Sequence, residues 1–177
     1  MKVDSVDIKC NVTMDYDKAA SFWERKDSKK MDEAALKAAV DEFIGKHKVC
    51  ALATGCDDFV RNTPIEYNFI DGIFWLFSEG GLKFKALKGN KNVCMAIYEE
   101  SAEFGSLHGM QIEGVADVIE PFYDEYIKLL ECKKIPVDAV KKMAEPINLI
   151  KITPKEIDFL NSDFKKDGVD SRQHLSL

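Results

Sequence analysis

The sequence is poor in the residues from which the commonest catalytic and metal centres are built. It has three histidines in 177 residues, His47, His108 and His174. They are too scattered for metal-ligand spacing, and no His-Glu-x-x-His or Cys/His zinc pattern is present, so no metal is expected. Five cysteines, Cys10, Cys50, Cys56, Cys94 and Cys132, form no Cys-x-x-Cys pair and cannot all be bridged. That excludes a disulfide framework and fits a reducing cytoplasm. No Gly-rich phosphate loop or dinucleotide fingerprint follows any candidate strand. Long apolar runs are missing too: the richest, Ile73 to Phe77, is bracketed by Asp71 and Glu79, well short of the ~18 residues a membrane span needs. Asp4 and Asp7 interrupt what would have to be the apolar region of a signal peptide. Basic residues are outnumbered 25 to 31, a net charge of −6. The surface as a whole is therefore no sink for nucleic acid or anionic lipid, and any anion site must be local.

What remains is ordinary globular composition, with 46% hydrophobic and 32% charged residues, enough for one cored domain over residues 1–177. The pattern divides it into N-terminal helices over about 15–47, a barrel over about 48–162 and a tail over 163–177. Tyr16 to Lys26, with Phe22 and Trp23, and Asp32 to His47 read as amphipathic helices; Leu36, Val40, Phe43, Ile44 and His47 of the second share a stripe. From Val49 the period falls to two. Val49 to Thr54, Val60 to Ile70, Ile73 to Ser78, Val93 to Tyr98, Met110 to Ile119 and Ile147 to Thr153, extended by Lys155 to Phe159, are six expected strands. Asp71-Gly72 is a two-residue hairpin turn. Pro121 and Pro136 open helices running to Lys133 and Met143.

Short turns between most strands predict an antiparallel sheet in a small closed or nearly closed barrel, mainly β with flanking helices (α+β). Val49 to Ala53 and Val93 to Tyr98 are apolar on both faces, so something covers the barrel's outside: the helices, or a second copy in a homodimer. Cys50 and Cys94, on these strands, read as inert fillers.

Two places concentrate positive charge. Leu82 to Lys91 carries Lys83, Lys85, Lys88 and Lys91 and no acid, directly after Gly80-Gly81. As a helix it sets Leu82, Lys83, Phe84, Ala86 and Leu87 in one arc, with Lys85 and Lys88 opposite, so Lys83 is the one inward charge. A lysine so placed must snorkel outward, pair with a carboxylate, or meet an anion. The second is Arg61, in Arg61-Asn-Thr-Pro-Ile-Glu-Tyr67, where Pro64 marks an edge or a bulge.

Together with Leu52-Ala53-Thr54, the Asp-Gly hairpin, Phe77-Ser78, Gly81-Leu-Lys83, Asn90-Lys-Asn-Val93 and Gly109 to Gly114, this strand resembles the pyridoxamine 5′-phosphate oxidase-like family over roughly Phe43 to Leu160. The resemblance implies a six-stranded antiparallel split β-barrel of Greek-key type that binds FMN at the interface of a homodimer. Arg61 and Lys83 would grip the FMN phosphate, with Ser78 hydrogen-bonding nearby. Asn62, Thr63, Pro64 and Ile65 would run along the isoalloxazine edge. Phe77 and Lys85 would join the cofactor-binding set, and Gln111 would lie on the dimer-facing side.

The implied activity is that of an FMN-dependent oxidoreductase acting on a small-molecule redox substrate through flavin N5, with no catalytic side chain identified. A non-catalytic flavin carrier, sensor or store, and a barrel holding haem or another bulky ligand, are the alternatives. Two departures separate the chain from a true pyridoxamine 5′-phosphate oxidase. Leu82 stands where that enzyme has a second basic residue, and Arg172-Gln-His174 only partly echoes its substrate-binding Arg-x-His-x-Arg motif.

Overall fold

Residues 15–21, 29–99 and 105–177 are described in the computed structural model. Cys10 and the Phe22 to Lys26 part of the first expected helix lie outside them, leaving a short α1 (Tyr16–Ala20). The Asp32 carboxylate caps α2 (Glu33–Lys46) by accepting from the backbone N–H groups of Ala34 and Ala35 at 3.0 and 3.2 Å, satisfying donors a helix start leaves free. Four members of the expected stripe, Leu36, Val40, Phe43 and Ile44, are buried. His47 lies one residue past the helix, its ring 4.3 Å from that of Phe43.

Eight strands form one antiparallel sheet: β1 (Val49–Cys56), β2 (Phe59–Glu66), β3 (Asn68–Ile70), β4 (Ile73–Ser78), β5 (Asn92–Tyr98), β6 (His108–Ile119), β7 (Asn148–Asn161) and β8 (Arg172–Ser176). Their order is β2-β1-β5-β6-β7-β4-β3, with β8 pairing the far half of β7. The terminal strands β2 and β3 are consecutive in the chain, joined through Tyr67. A sheet whose first and last strands are one residue apart has to curl until its edges meet, and that makes the split barrel. Tyr67 pins the seam: its N–H donates to the Lys48 carbonyl at 2.9 Å and its hydroxyl to the Ile44 carbonyl at 2.8 Å. Inside the curl, Leu52, Phe74, Leu76, Met95, Ile97, Ile112 and Ile152 pack against the α2 stripe.

The expected strand count of six becomes eight for two reasons. Tyr67 splits the Val60 to Ile70 run at the seam. The residues expected to trail as a tail instead form a 3-10 helix, Ser162–Asp167, and β8. Gln173 of β8 is buried, its carbonyl accepting from Met31 N–H at 2.9 Å and its amide donating to the Lys29 and Asp170 carbonyls at 3.2 and 2.6 Å. A buried but fully bonded glutamine holds the segment before α2 against the last strand, and it hides the alternation by which that strand would be recognised.

Helices α4 (Asp124–Cys132) and α5 (Val137–Lys141) cover the outer face of β4 and β7, where Tyr126, Leu129, Leu130 and Val140 meet Trp75, Phe77 and Leu149. They do not cover β1 and β5. Val49 and Tyr98 stay exposed there, and Ala51, Ala53, Cys94 and Ala96 half-buried. Among the described residues no helix is long and apolar enough to cross a membrane.

The Asp71-Gly72 turn has the expected positive φ at both positions, 53° and 77°. Register shifts at Glu113/Gly114, where Gly114 faces Pro154 and Glu113 faces Glu156, leaving Lys155 as the extra residue of a β-bulge. A Cβ on Gly114 would stand 2.6 Å from the Thr153 carbonyl oxygen and 3.2 Å from Pro154 Cα. Gly114→Ala is therefore expected to cost about 1–3 kcal/mol, read as a lower urea midpoint; an unchanged midpoint would mean that β6 and β7 separate freely at the bulge.

Candidate functional site

The strand order sets the site. Buried Thr54 of β1 lies beside Arg61 of β2 in register, and its hydroxyl donates to the Arg61 carbonyl at 3.5 Å. Helix α3 (Lys83–Leu87) follows β4 and packs against β1 and β2. Its buried side is Lys83, Ala86 and Leu87, while Lys85 and Lys88 point outward as the helical spacing predicts. Leu82, expected in the inward arc, precedes the helix and is exposed.

Lys83 is only 5% exposed. Its ammonium donates to the Gly80 carbonyl at 2.5 Å and lies 5.2 Å from the centre of the Phe84 ring. Burial, and then the positive charge of nearby Arg61, push the Lys83 pKa below its ordinary 10.5. Among the described residues no carboxylate pairs with this ammonium. Arg61 is exposed, so the cost falls on Lys83, where desolvation and repulsion from Arg61 act in the same direction.

The turn before α3 completes the pocket. Ser78 is buried, its hydroxyl donating to the Gly80 carbonyl at 3.1 Å and accepting from the Gly80 N–H at 3.2 Å. Lys83 Nζ and Ser78 Oγ thus share one carbonyl acceptor. Gly80 and Gly81 have φ of 140° and 108°, and a Cβ on Gly81 would stand 3.6 Å from Lys83 Nζ. Glycine gives the turn this path and leaves the ammonium approachable. An anion entering here would offer Lys83 and Ser78 better acceptors than the carbonyl they share, and would neutralise Arg61 as well. The donor set suits a phosphate monoester dianion.

The structure brings Arg61, Ser78 and Lys83 to one end of the barrel and distributes the other candidates differently. Thr63 and Ile65 share the inward side of edge strand β2 with Arg61, and Asn62 and Pro64 face outward and are exposed. Lys85 lies over the Phe59 ring, 4.7 Å from its centre. Phe77, one residue before Ser78, points to the opposite face of β4 and packs edge-on against Tyr126. Gln111 is exposed on the outer face of β6, in register with Ala96. It lies three strands from β2, roughly 14 Å at ~4.8 Å per strand, and on the face of the sheet opposite to Arg61.

Two contributors were not singled out from the sequence, the Gly80 carbonyl and the Thr54 hydroxyl. A Gly-Gly pair leaving a strand directly before an acid-free lysine helix was the available signal for the first. Cys50 and Cys94 offer no thiolate: burial pushes the Cys50 thiol up to about 12, and burial with nearby Glu113 raises that of Cys94. Among the described residues no group of three or more His, Cys, Asp or Glu side chains is placed to hold a metal ion.

The family model described as pyridoxamine 5′-phosphate oxidase matches residues 36–161. Among solved structures, the chain is similar to ChuZ of Campylobacter jejuni, with a TM-score of 0.62 and 16% identity over 83% of this chain. It spans 61% of that longer protein. It is also similar to HutZ, the haem storage protein of Vibrio cholerae, with a TM-score of 0.55 and 16% identity over 68% of this chain and 90% of that one. An FAD-binding protein of Mesorhizobium loti gives 0.55 and 16% over 68% of this chain and 89% of that one. No curated protein matches by sequence. At such identities the likeness shows the fold, and the pocket's own residues must indicate the ligand.

Because the unfolded chain binds the Lys83 proton more tightly than the folded one, this residue's contribution to stability rises with pH from the lowered pKa up to 10.5. A bound dianion would favour the charged form and oppose that trend. Inorganic phosphate at pH 7 is expected to raise the Tm of the wild type and leave that of Lys83→Met unmoved. The ligand-free variant should melt at or above the wild-type temperature, since it loses a buried, uncompensated charge. Equal phosphate shifts in both proteins would place the anion elsewhere.

Proposed function

Because the chain belongs to the pyridoxamine 5′-phosphate oxidase family, we propose that it is a cytoplasmic, FMN-binding flavoprotein that moves electrons to or from a small organic substrate. The observation that carries this reading is the buried ammonium of Lys83 beside Arg61, with no carboxylate partner among the described residues. Arg61, Lys83 and the Ser78 hydroxyl would hold the phosphate. The free edge of β2 at Asn62 to Ile65, where Pro64 lacks an N–H, would receive the flavin ring.

When bound, the flavin supplies the electron-transfer chemistry through N5, so the chain's residues need only bind and orient it. Arg61 and Lys83 neutralise the phosphate, and the wall of the half-barrel shields one side from water. A second copy of the chain completes the site in this reading. Its support is the apolar face of β1 and β5, which none of the described helices covers and on which Val49 and Tyr98 are exposed, together with Gln111, exposed on that same outer face and opposite to the side that carries Arg61. A twofold dimer places the same strands of both copies against each other.

The chain's departures from the oxidase pattern at Leu82 and at Arg172 to His174 favour a substrate other than a B6 vitamer. Two cations suit a terminal phosphate and a haem propionate alike, so the choice between flavin and haem falls to the identity of the released cofactor.

Protein purified without added cofactor is expected to show flavin bands and to release FMN on denaturation; a haem Soret band in their place would overturn the assignment. Arg61→Ala should weaken FMN binding about ten- to hundredfold, corresponding to the ~1.5–3 kcal/mol of a charge-assisted hydrogen bond. Flavin fluorescence titration measures it, and unchanged affinity would remove Arg61 from the site. Turnover of the bound flavin by a reduced nicotinamide and an organic acceptor separates an enzyme from a carrier or store.

A further inference from the structure

A second cavity, of about 290 Å³, opens between the β3–β4 hairpin and α4. It lies at the Ile73 end of β4, whereas the phosphate pocket begins at Ser78. At ~3.3 Å per residue those ends are about 17 Å apart. The cavity also lies on the opposite face of the sheet, because Trp75 and Ser78 are of opposite parity on β4. It is therefore independent of the flavin site.

Its floor is apolar and partly aromatic, made of Ile70, Ile73, Trp75 and Leu129. Its polar lining sorts by charge. Glu125 and Lys151 satisfy each other at 2.5 Å, and the Lys151 ammonium also lies 5.3 Å from the centre of the Trp75 ring. Lys128 and Asp71 also line the cavity, and no ion pair joins either to another of the described residues. The cavity thus has an apolar floor that includes one indole, and at its rim one exposed cation and one exposed anion that no described residue pairs. A volume of this size lies at the small end of ligand pockets and suits a single-ring compound.

From this charge and shape complementarity we infer that the cavity binds a small aromatic zwitterion, the chemistry of a free aromatic amino acid. The ring would lie against Trp75 and Leu129, the carboxylate would meet Lys128 and the ammonium would meet Asp71. A monocarboxylate would leave Asp71 unmatched and an amine would leave Lys128 unmatched, so a zwitterion is preferred over either.

The test uses the full chain and ligand-observed NMR, with L-phenylalanine, 3-phenylpropionate and 2-phenylethylamine as probes. L-phenylalanine should bind at least tenfold more tightly than the other two. Lys128→Glu and Asp71→Asn should each weaken it by about tenfold while leaving FMN retention at the wild-type level, which separates failure of this site from failure of the flavin assignment. Cys132, exposed at the cavity's edge, gives a second readout: L-phenylalanine should slow its alkylation and leave that of Cys56 unchanged. No binding of any probe, equal affinity for all three, or binding unaffected by both variants would overturn the inference.

Discussion

A buried ammonium with no carboxylate partner among the described residues is the constraint on which the functional reading depends. Most buried charges in folded proteins are paired, because desolvation is otherwise uncompensated. Here Lys83 has a backbone carbonyl and a neighbouring arginine, and its proton is held less tightly as a result. Replacing it with a hydrophobic residue would make a quieter protein. What would justify the charge is a ligand that supplies the missing negative partner, and the Gly80-Gly81 turn leaves that position open.

The fold delivers this arrangement through one topological fact. Because β2 and β3 are neighbours in sequence and opposite ends of the sheet, the barrel has to curl shut at Tyr67. Closing the seam leaves β2 as an edge with Arg61 on its inward side, and brings α3 from the end of β4 onto β1 and β2. Arg61 and Lys83, twenty-two positions apart, meet for this reason. The seam at Tyr67 and the Gln173 clasp near the C-terminus make a single curled unit, and among the described residues the outer face of β1 and β5 is left without a covering helix.

Much of this was legible in the sequence because local rules and tertiary demands coincide. The Asp71-Gly72 turn can adopt few other conformations, the α2 stripe follows helical period, and the inward position of Lys83 follows from its spacing to Ala86 and Leu87. The illegible parts are those where long-range bonding overrides pattern. Nothing local marks Tyr67 as a break in a continuous strand, since its role depends on Lys48 and Ile44. Strand β8 carries one buried leucine and one buried glutamine, and the glutamine reads as polar surface until Met31 and Lys29 are seen to satisfy it. The resemblance puts Phe77 beside Ser78 in the cofactor-binding set, yet alternation along a strand sends the two side chains to opposite faces. Gln111 belongs to a face whose meaning depends on a partner.

The half-barrel is shared by a haem storage protein and an FAD-binding protein, so architecture leaves the ligand open. The most direct measurement is the affinity of the cofactor-free protein for FMN against riboflavin, which differ only in the phosphate. FMN is expected to bind at least a hundredfold more tightly, and Lys83→Met to remove most of the difference; equal affinity for the two flavins would mean that Lys83 and Arg61 hold no phosphate.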